Sequence, residues 1–95
     1  MKEFFNPEPV EIEVQDKDGV KHIFKFKNMT PDDMDKLSDI AGANENKNKP
    51  GSIVRKQCSV IFGEDENFYG NFTLSVLNGA ITYITEIMKN PNKEK

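Results

Sequence analysis

Val10-Glu11-Ile12-Glu13-Val14-Gln15, then Asp16-Lys17-Asp18-Gly19, then Val20-Lys21-His22-Ile23-Phe24-Lys25-Phe26-Lys27 is the stretch that decides the fold. Val10, Ile12 and Val14 alternate with Glu11, Glu13 and Gln15, the period of two that marks a half-buried strand. After the turn, His22, Phe24 and Phe26 alternate with Lys21, Ile23, Lys25 and Lys27. A type I turn with Gly19 in the left-handed region and a bulge sets one register. It puts Val14 opposite His22, Ile12 opposite Phe24, Val10 opposite Phe26, and Glu11 opposite Lys25. One choice of register therefore yields an apolar face and a charge-paired face. Residues 10–27 read as a β-hairpin, with Pro7 and Pro9 guarding its entrance.

Working outward, the remaining apolar residues recur at helical spacing. Thr30 is an N-cap, Pro31 suits the first helical position, and Asp32 and Asp33 complement the positive helix end. Asp33 can close a capping box on Thr30, and Met29 can staple to Met34. Met34, Leu37, Ile40 and Ala41 form the expected inward stripe, and Gly42 the stop. Ser52 is the expected cap of a second helix whose apolar face is Val54, Cys58, Ile61 and Phe62, stopped by Gly63. A third runs from about Thr73 to Lys89, with Val76, Leu77, Ala80, Ile81, Ile84, Ile87 and Met88 covering a wide face. Asn90-Pro91 ends it.

The expectation is a single α+β domain over residues 1–95. An N-terminal hairpin at about 10–27 is followed by three helices at about 30–42, 52–62 and 73–89, packed on its apolar face. A mobile N-terminal arm (1–8), a loop (44–51) and a C-terminal tail (91–95) flank these elements.

Composition narrows the function. A net charge of −3 and a pI near 5.1 leave no broad basic face for a phosphate backbone, so no nucleic-acid partner is expected. No apolar run approaches the roughly 20 residues that span a bilayer. A lone cysteine excludes an intramolecular disulfide. The first residues, Met1-Lys2-Glu3-Phe4-Phe5-Asn6-Pro7, lack the apolar core of a signal peptide. A cytoplasmic location is expected.

Few side chains invite chemistry. Asp16-Lys17-Asp18-Gly19 superficially suggests a calcium loop, but strands flank it and Lys27 stands where the bidentate Glu is needed. His22 has no cysteine or second histidine at ligand spacing, and is placed at the edge of the hairpin's apolar face. Cys58 falls in the apolar stripe of the second helix, as a small buried hydrophobe. Asp32, Asp33, Asp35, Asp39, Glu64, Asp65 and Glu66 read as solvated charge, with no dry pocket to separate their pKa values. Asn28-Met29-Thr30 and Asn71-Phe72-Thr73 fit the glycosylation triplet, a reading that requires secretion. No catalytic residue, metal site or cofactor is expected, and the chain is read as a non-enzyme. Phe62, Phe68, Tyr69 and Phe72 crowd an acidic turn. They either close the bottom of the core or leave rings exposed to anchor a partner. With Tyr83, on the third helix, they are the candidate partner-binding residues.

Ile53-Val54-Arg55-Lys56-Gln57-Cys58, followed by Ile61-Phe62-Gly63-Glu64 and then Phe68-Tyr69-Gly70-Asn71, resembles the small tail assembly chaperones of long-tailed bacteriophages or prophages. In that family a short β element precedes helices. An Ile-Arg-Lys-x-Cys and Phe-Gly-Glu stretch leads through a variable turn to a Phe-Gly-x-Asn segment and a last amphipathic helix. This chain departs in having Val54 and Arg55 where the pattern runs Ile-Arg directly, in its Asn/Lys loop at 44–51 and in Tyr69 standing before Gly70. The resemblance implies a non-enzymatic protein that binds the tape-measure protein and tail-tube subunits during assembly and then leaves the particle. It also implies the host bacterial cytoplasm as the location, while β edges and aromatics invite homo-oligomers. The alternatives are a structural tail or head-completion component, and a cytoplasmic adaptor docking by strand addition at the hairpin edge.

Overall fold

The computed structural model describes residues 3–43 and 48–89. Residues 44–47 of the expected loop (44–51), the expected tail (91–95) with Asn90, and the first two residues lie outside that description.

The hairpin forms in the expected register. Strands β1 (Val10–Gln15) and β2 (Lys21–Phe26) pair antiparallel, with Val10 opposite Phe26, Ile12 opposite Phe24 and Val14 opposite His22. Gly19 takes φ 87°, and its N–H reaches the Asp16 carbonyl at 3.0 Å. The Asp16 carboxylate completes the turn, with Oδ1 accepting from the N–H groups of Asp18 and Val20 at 2.9 and 3.0 Å. Outward, Lys25 meets Glu11 at 3.6 Å and Lys21 meets Glu13 at 3.4 Å. These pairs are more than half exposed, so each is worth at most about 1 kcal/mol. They settle the face rather than the stability.

Helix α1 (Pro31–Gly42) starts as its caps dictate. The N–H of Asp33 donates to Thr30 Oγ1 at 3.2 Å and the N–H of Thr30 to Asp33 Oδ2 at 3.0 Å, closing the capping box. Its apolar stripe is narrower than expected. Met34 is 54% exposed and Ala41 is exposed, leaving Leu37 and Ile40 half-buried. The reason is placement: α1 packs chiefly on the next helix, with Leu37 touching the edge of the core.

Helix α2 (Pro50–Phe62) begins two residues before the expected cap. Pro50 takes the first turn, where a missing N–H costs nothing, and Lys49 precedes it without a side-chain cap. Ser52 is therefore inside the helix; its hydroxyl accepts from Arg55 Nη2 at 3.3 Å. Gly63 ends the helix at φ 97°, its N–H bonded to the Ser59 carbonyl at 2.8 Å.

The following connection is more ordered than its composition suggests. Glu66–Asn71 winds into a 3₁₀ segment capped by Asp65, whose Oδ2 accepts from the N–H of Asn67 at 3.1 Å. The segment is pinned to the hairpin turn by the Lys17 N–H, which donates to the Asn71 carbonyl at 2.8 Å. Helix α3 (Leu74–Lys89) follows, with Thr73 Oγ1 accepting from the N–H of Val76 at 3.3 Å. It buries Leu77, Ala80 and Ile84, while Met88, expected inside, stands at the surface.

One core joins these elements. Phe24 and Phe26 of β2 meet Cys58, Ile61 and Phe62 of α2, Tyr69 and Phe72 from the connection, and the buried residues of α3. Phe24 is its hub, with ring centroids 4.8 Å from Phe62, 5.2 Å from Phe72 and 5.5 Å from Tyr69. The Phe72 and Tyr69 pairs are edge-to-face, an arrangement that adds roughly 0.5–1.5 kcal/mol each beyond burial.

Candidate functional site

The five candidate partner-binding residues divide between interior and surface. Phe62, Tyr69 and Phe72 are buried in the core, and Phe68 is half-buried against His22, Tyr69 and Phe72. The question left open by the aromatic turn is thereby answered: its rings close the bottom of the core. Tyr83 differs. It projects from α3, 51% exposed.

Tyr69 is held most firmly. Its Oη accepts from the N–H of Glu64 at 3.2 Å, so the hydroxyl is satisfied inside an otherwise apolar cluster. Burial pushes its pKa up to about 12. Cys58, fully buried nearby, is likewise pushed up to about 12 by desolvation, which keeps the thiol protonated and unreactive. Neither group can act as a nucleophile or base near neutrality in this setting.

His22 sits on the hairpin's apolar face, as its register requires, but it has company. Its ring lies edge-on to Phe72 at 5.1 Å and Phe68 at 5.6 Å, and Nε2 is 3.0 Å from Asp16 Oδ2. The Asp16 side chain is only 13% exposed. The hydrogen bond from His22 holds its carboxyl below the usual 3.8, aided by the backbone donors Val20 and Asp18 and opposed by partial burial. Sequence spacing did not expose this pair. The signal was available: in the bulged register Asp16 shares the face of Val14 and lies diagonal to His22.

Two surface features complete the inventory. The apolar side chains of Phe4, Phe5, Ile23, Leu74 and Tyr83 are more than half exposed. A groove of about 290 Å³ runs beside β2, walled by Ile23, Lys25 and Lys27 on one side and by Phe62, Gly63 and Glu64 on the other. Among the described residues no three His, Cys, Asp or Glu side chains gather as a metal cluster would, and no helix is long and apolar enough to cross a membrane. Asn28, read from the sequence only as the start of a glycosylation triplet, adopts φ 91° between β2 and α1. Its Nδ2 donates to the Pro7 carbonyl at 2.9 Å, tying the N-terminal arm to the far end of β2.

Comparison with family models, with curated proteins and with solved structures finds no match to this chain. The described residues form an α+β domain whose aromatic turn belongs to the core.

Proposed function

We propose that this chain is a non-enzymatic tail assembly chaperone of a long-tailed bacteriophage or prophage, binding the tape-measure protein and tail-tube subunits during morphogenesis. The observation that carries the reading is the stretch Ile53 to Asn71, whose letters resemble that family. In the fold these letters form one packed unit: α2, the left-handed Gly63 and the 3₁₀ segment that closes the core. A shared structural unit is what a resemblance concentrated in such residues would preserve.

The interior position of Phe62, Tyr69 and Phe72 moves the expected client contact to α3. Between Leu74 and Met88 only Glu86 is charged, while Leu74 and Tyr83 project outward. Nine residues apart, these two side chains stand on opposite flanks of the helix, and a helix this poor in charge with a projecting aromatic suits an elongated helical client. A small domain whose interior supports only modest stability also gains from each such contact.

The test is co-expression with the tape-measure protein of the same phage. The wild-type chain co-purifies with it, and the doubly changed Leu74→Ser, Tyr83→Ala chain folds but does not. Failure of the folded wild-type chain to bind any part of the tape-measure or tail-tube proteins overturns the proposal. Mass spectrometry of purified particles separates a chaperone, which is absent, from a structural tail or head-completion component, which is present.

A further inference from the structure

The outer edge of β2 is open. The pairs Val10–Phe26, Ile12–Phe24 and Val14–His22 share the phase of Asp16 and Val20, whose backbones are bonded at 2.9 Å. Alternation along an antiparallel ladder then turns the N–H and C=O groups of Lys21, Ile23 and Lys25 away from β1. Among the described residues, no hydrogen bond from outside the hairpin reaches them. The side chains of the same three residues stand on the outer face, with Ile23 60% exposed. The groove walled by Phe62, Gly63 and Glu64 lies along this edge, wide enough for side chains that turn inward.

We propose that this edge accepts an extended segment of a partner protein as a third strand, with acidic residues at alternate positions and small apolar residues between them. The chain itself shows the chemistry that β2 selects. On the paired side, β1 sets Glu11 and Glu13 against Lys25 and Lys21 on the outer face, and turns Val10, Ile12 and Val14 inward. A strand on the open side meets the same lysines outside and the groove inside. Glu64 on the groove wall disfavours an acidic residue turned inward, so the carboxylates must lie on the outer face.

Charge also selects against the simplest competitor. Two β2 edges pairing antiparallel would set Lys21 and Lys25 against lysines, which is destabilising. The free edge of β1 is entered through Pro7 and Pro9, and Pro supplies no N–H for a ladder. Strand addition supplies affinity through the backbone and specificity through alternate side chains. The surface suits any partner of that chemistry, whether or not the chain acts in tail assembly.

The experiment is an NMR titration of the ¹⁵N-labelled full chain with the capped peptide Thr-Glu-Val-Glu-Val-Thr, and with Thr-Lys-Val-Lys-Val-Thr as control. The acidic peptide should shift the amides of Ile23 and Lys25 and slow their exchange with solvent. The basic control should not. Lys25→Glu should weaken binding by about fivefold or more, since it replaces an attraction with a repulsion. Ile23→Pro should abolish binding, because it removes an outward donor without removing a ladder bond. If that variant does not fold, the wild-type shift map and Lys25→Glu decide. Silence at Ile23 and Lys25, equal binding of the basic peptide, or shifts centred on α3 overturns the proposal. So does concentration-dependent self-association that protects these amides, which would make the occupant a second copy.

Discussion

Nε2 of His22 lies 3.0 Å from Oδ2 of Asp16, and the same imidazole packs edge-on against Phe72 and Phe68. With Asp16 ionised its oxygens only accept, so Nε2 is the donor. One side chain thus joins the hairpin turn to the aromatic floor of the core. The turn is joined a second time through Lys17 and Asn71.

This pair makes acid stability depend on Asp16. Its folded pKa lies below the ordinary 3.8, so the ionised carboxylate is favoured in the folded chain. The contribution is fully present above 3.8 and is lost as pH falls through the lower folded value. In the acid range, the melting-temperature gap between the wild-type chain and Asp16→Asn should close as pH falls below 3.8. A gap that persists into strong acid would show that geometry alone, without charge, holds the turn.

Alkaline behaviour follows from the buried thiol and phenol. Cys58 rises from 9.0 and Tyr69 from 10.0, each to about 12. The raised values favour the protonated groups in the folded state. Their contribution is complete below pH 9 and is lost progressively up to about 12. Cys58→Ala should delay the onset of that loss. In the native chain Cys58 should resist iodoacetamide at neutral pH and react once urea unfolds it. Rapid labelling of the native chain would contradict its burial.

Truncating the hub should be far more costly than truncating the projecting ring. Phe24→Ala removes four aromatic neighbours and should cost about 3–5 kcal/mol, a large share of the total for a small domain. Tyr83→Ala should fall within about 0.5 kcal/mol of the wild-type chain. Urea unfolding measures both, and a comparable loss at Tyr83 would place that ring in the core.

Two glycines should respond in opposite directions to alanine. An added Cβ meets nothing within 4 Å at either Gly63 or Gly79, so packing does not decide. Gly63 sits at φ 97°, and Gly63→Ala should cost about 1–2 kcal/mol in backbone strain. Gly79 lies inside α3, and Gly79→Ala should stabilise by about 1 kcal/mol through helix propensity. Thermal melts of the two variants should shift to opposite sides of the wild-type curve.

The sequence by itself determined the features that depend on neighbours close along the chain. The hairpin register follows from two alternations and one glycine turn. The start of α1 follows from Thr30, Pro31 and Asp33, and the end of α2 from Gly63. Each is a local choice in which period, cap and turn chemistry agree. The family resemblance lies in the letters too, but they serve packing and do not identify the surface.

Only the tertiary structure decided how much of each face is covered. Periodicity tells that Met34 and Leu37 share a side of α1, yet only the placement of α1 on α2 leaves Met34 outside. It also assigned Tyr69 to the interior and Tyr83 to the surface, which composition could not do. The open edge of β2 and the His22–Asp16 bond have the same origin. They depend on where distant segments come to rest, and burial by distant segments leaves no period in the chain.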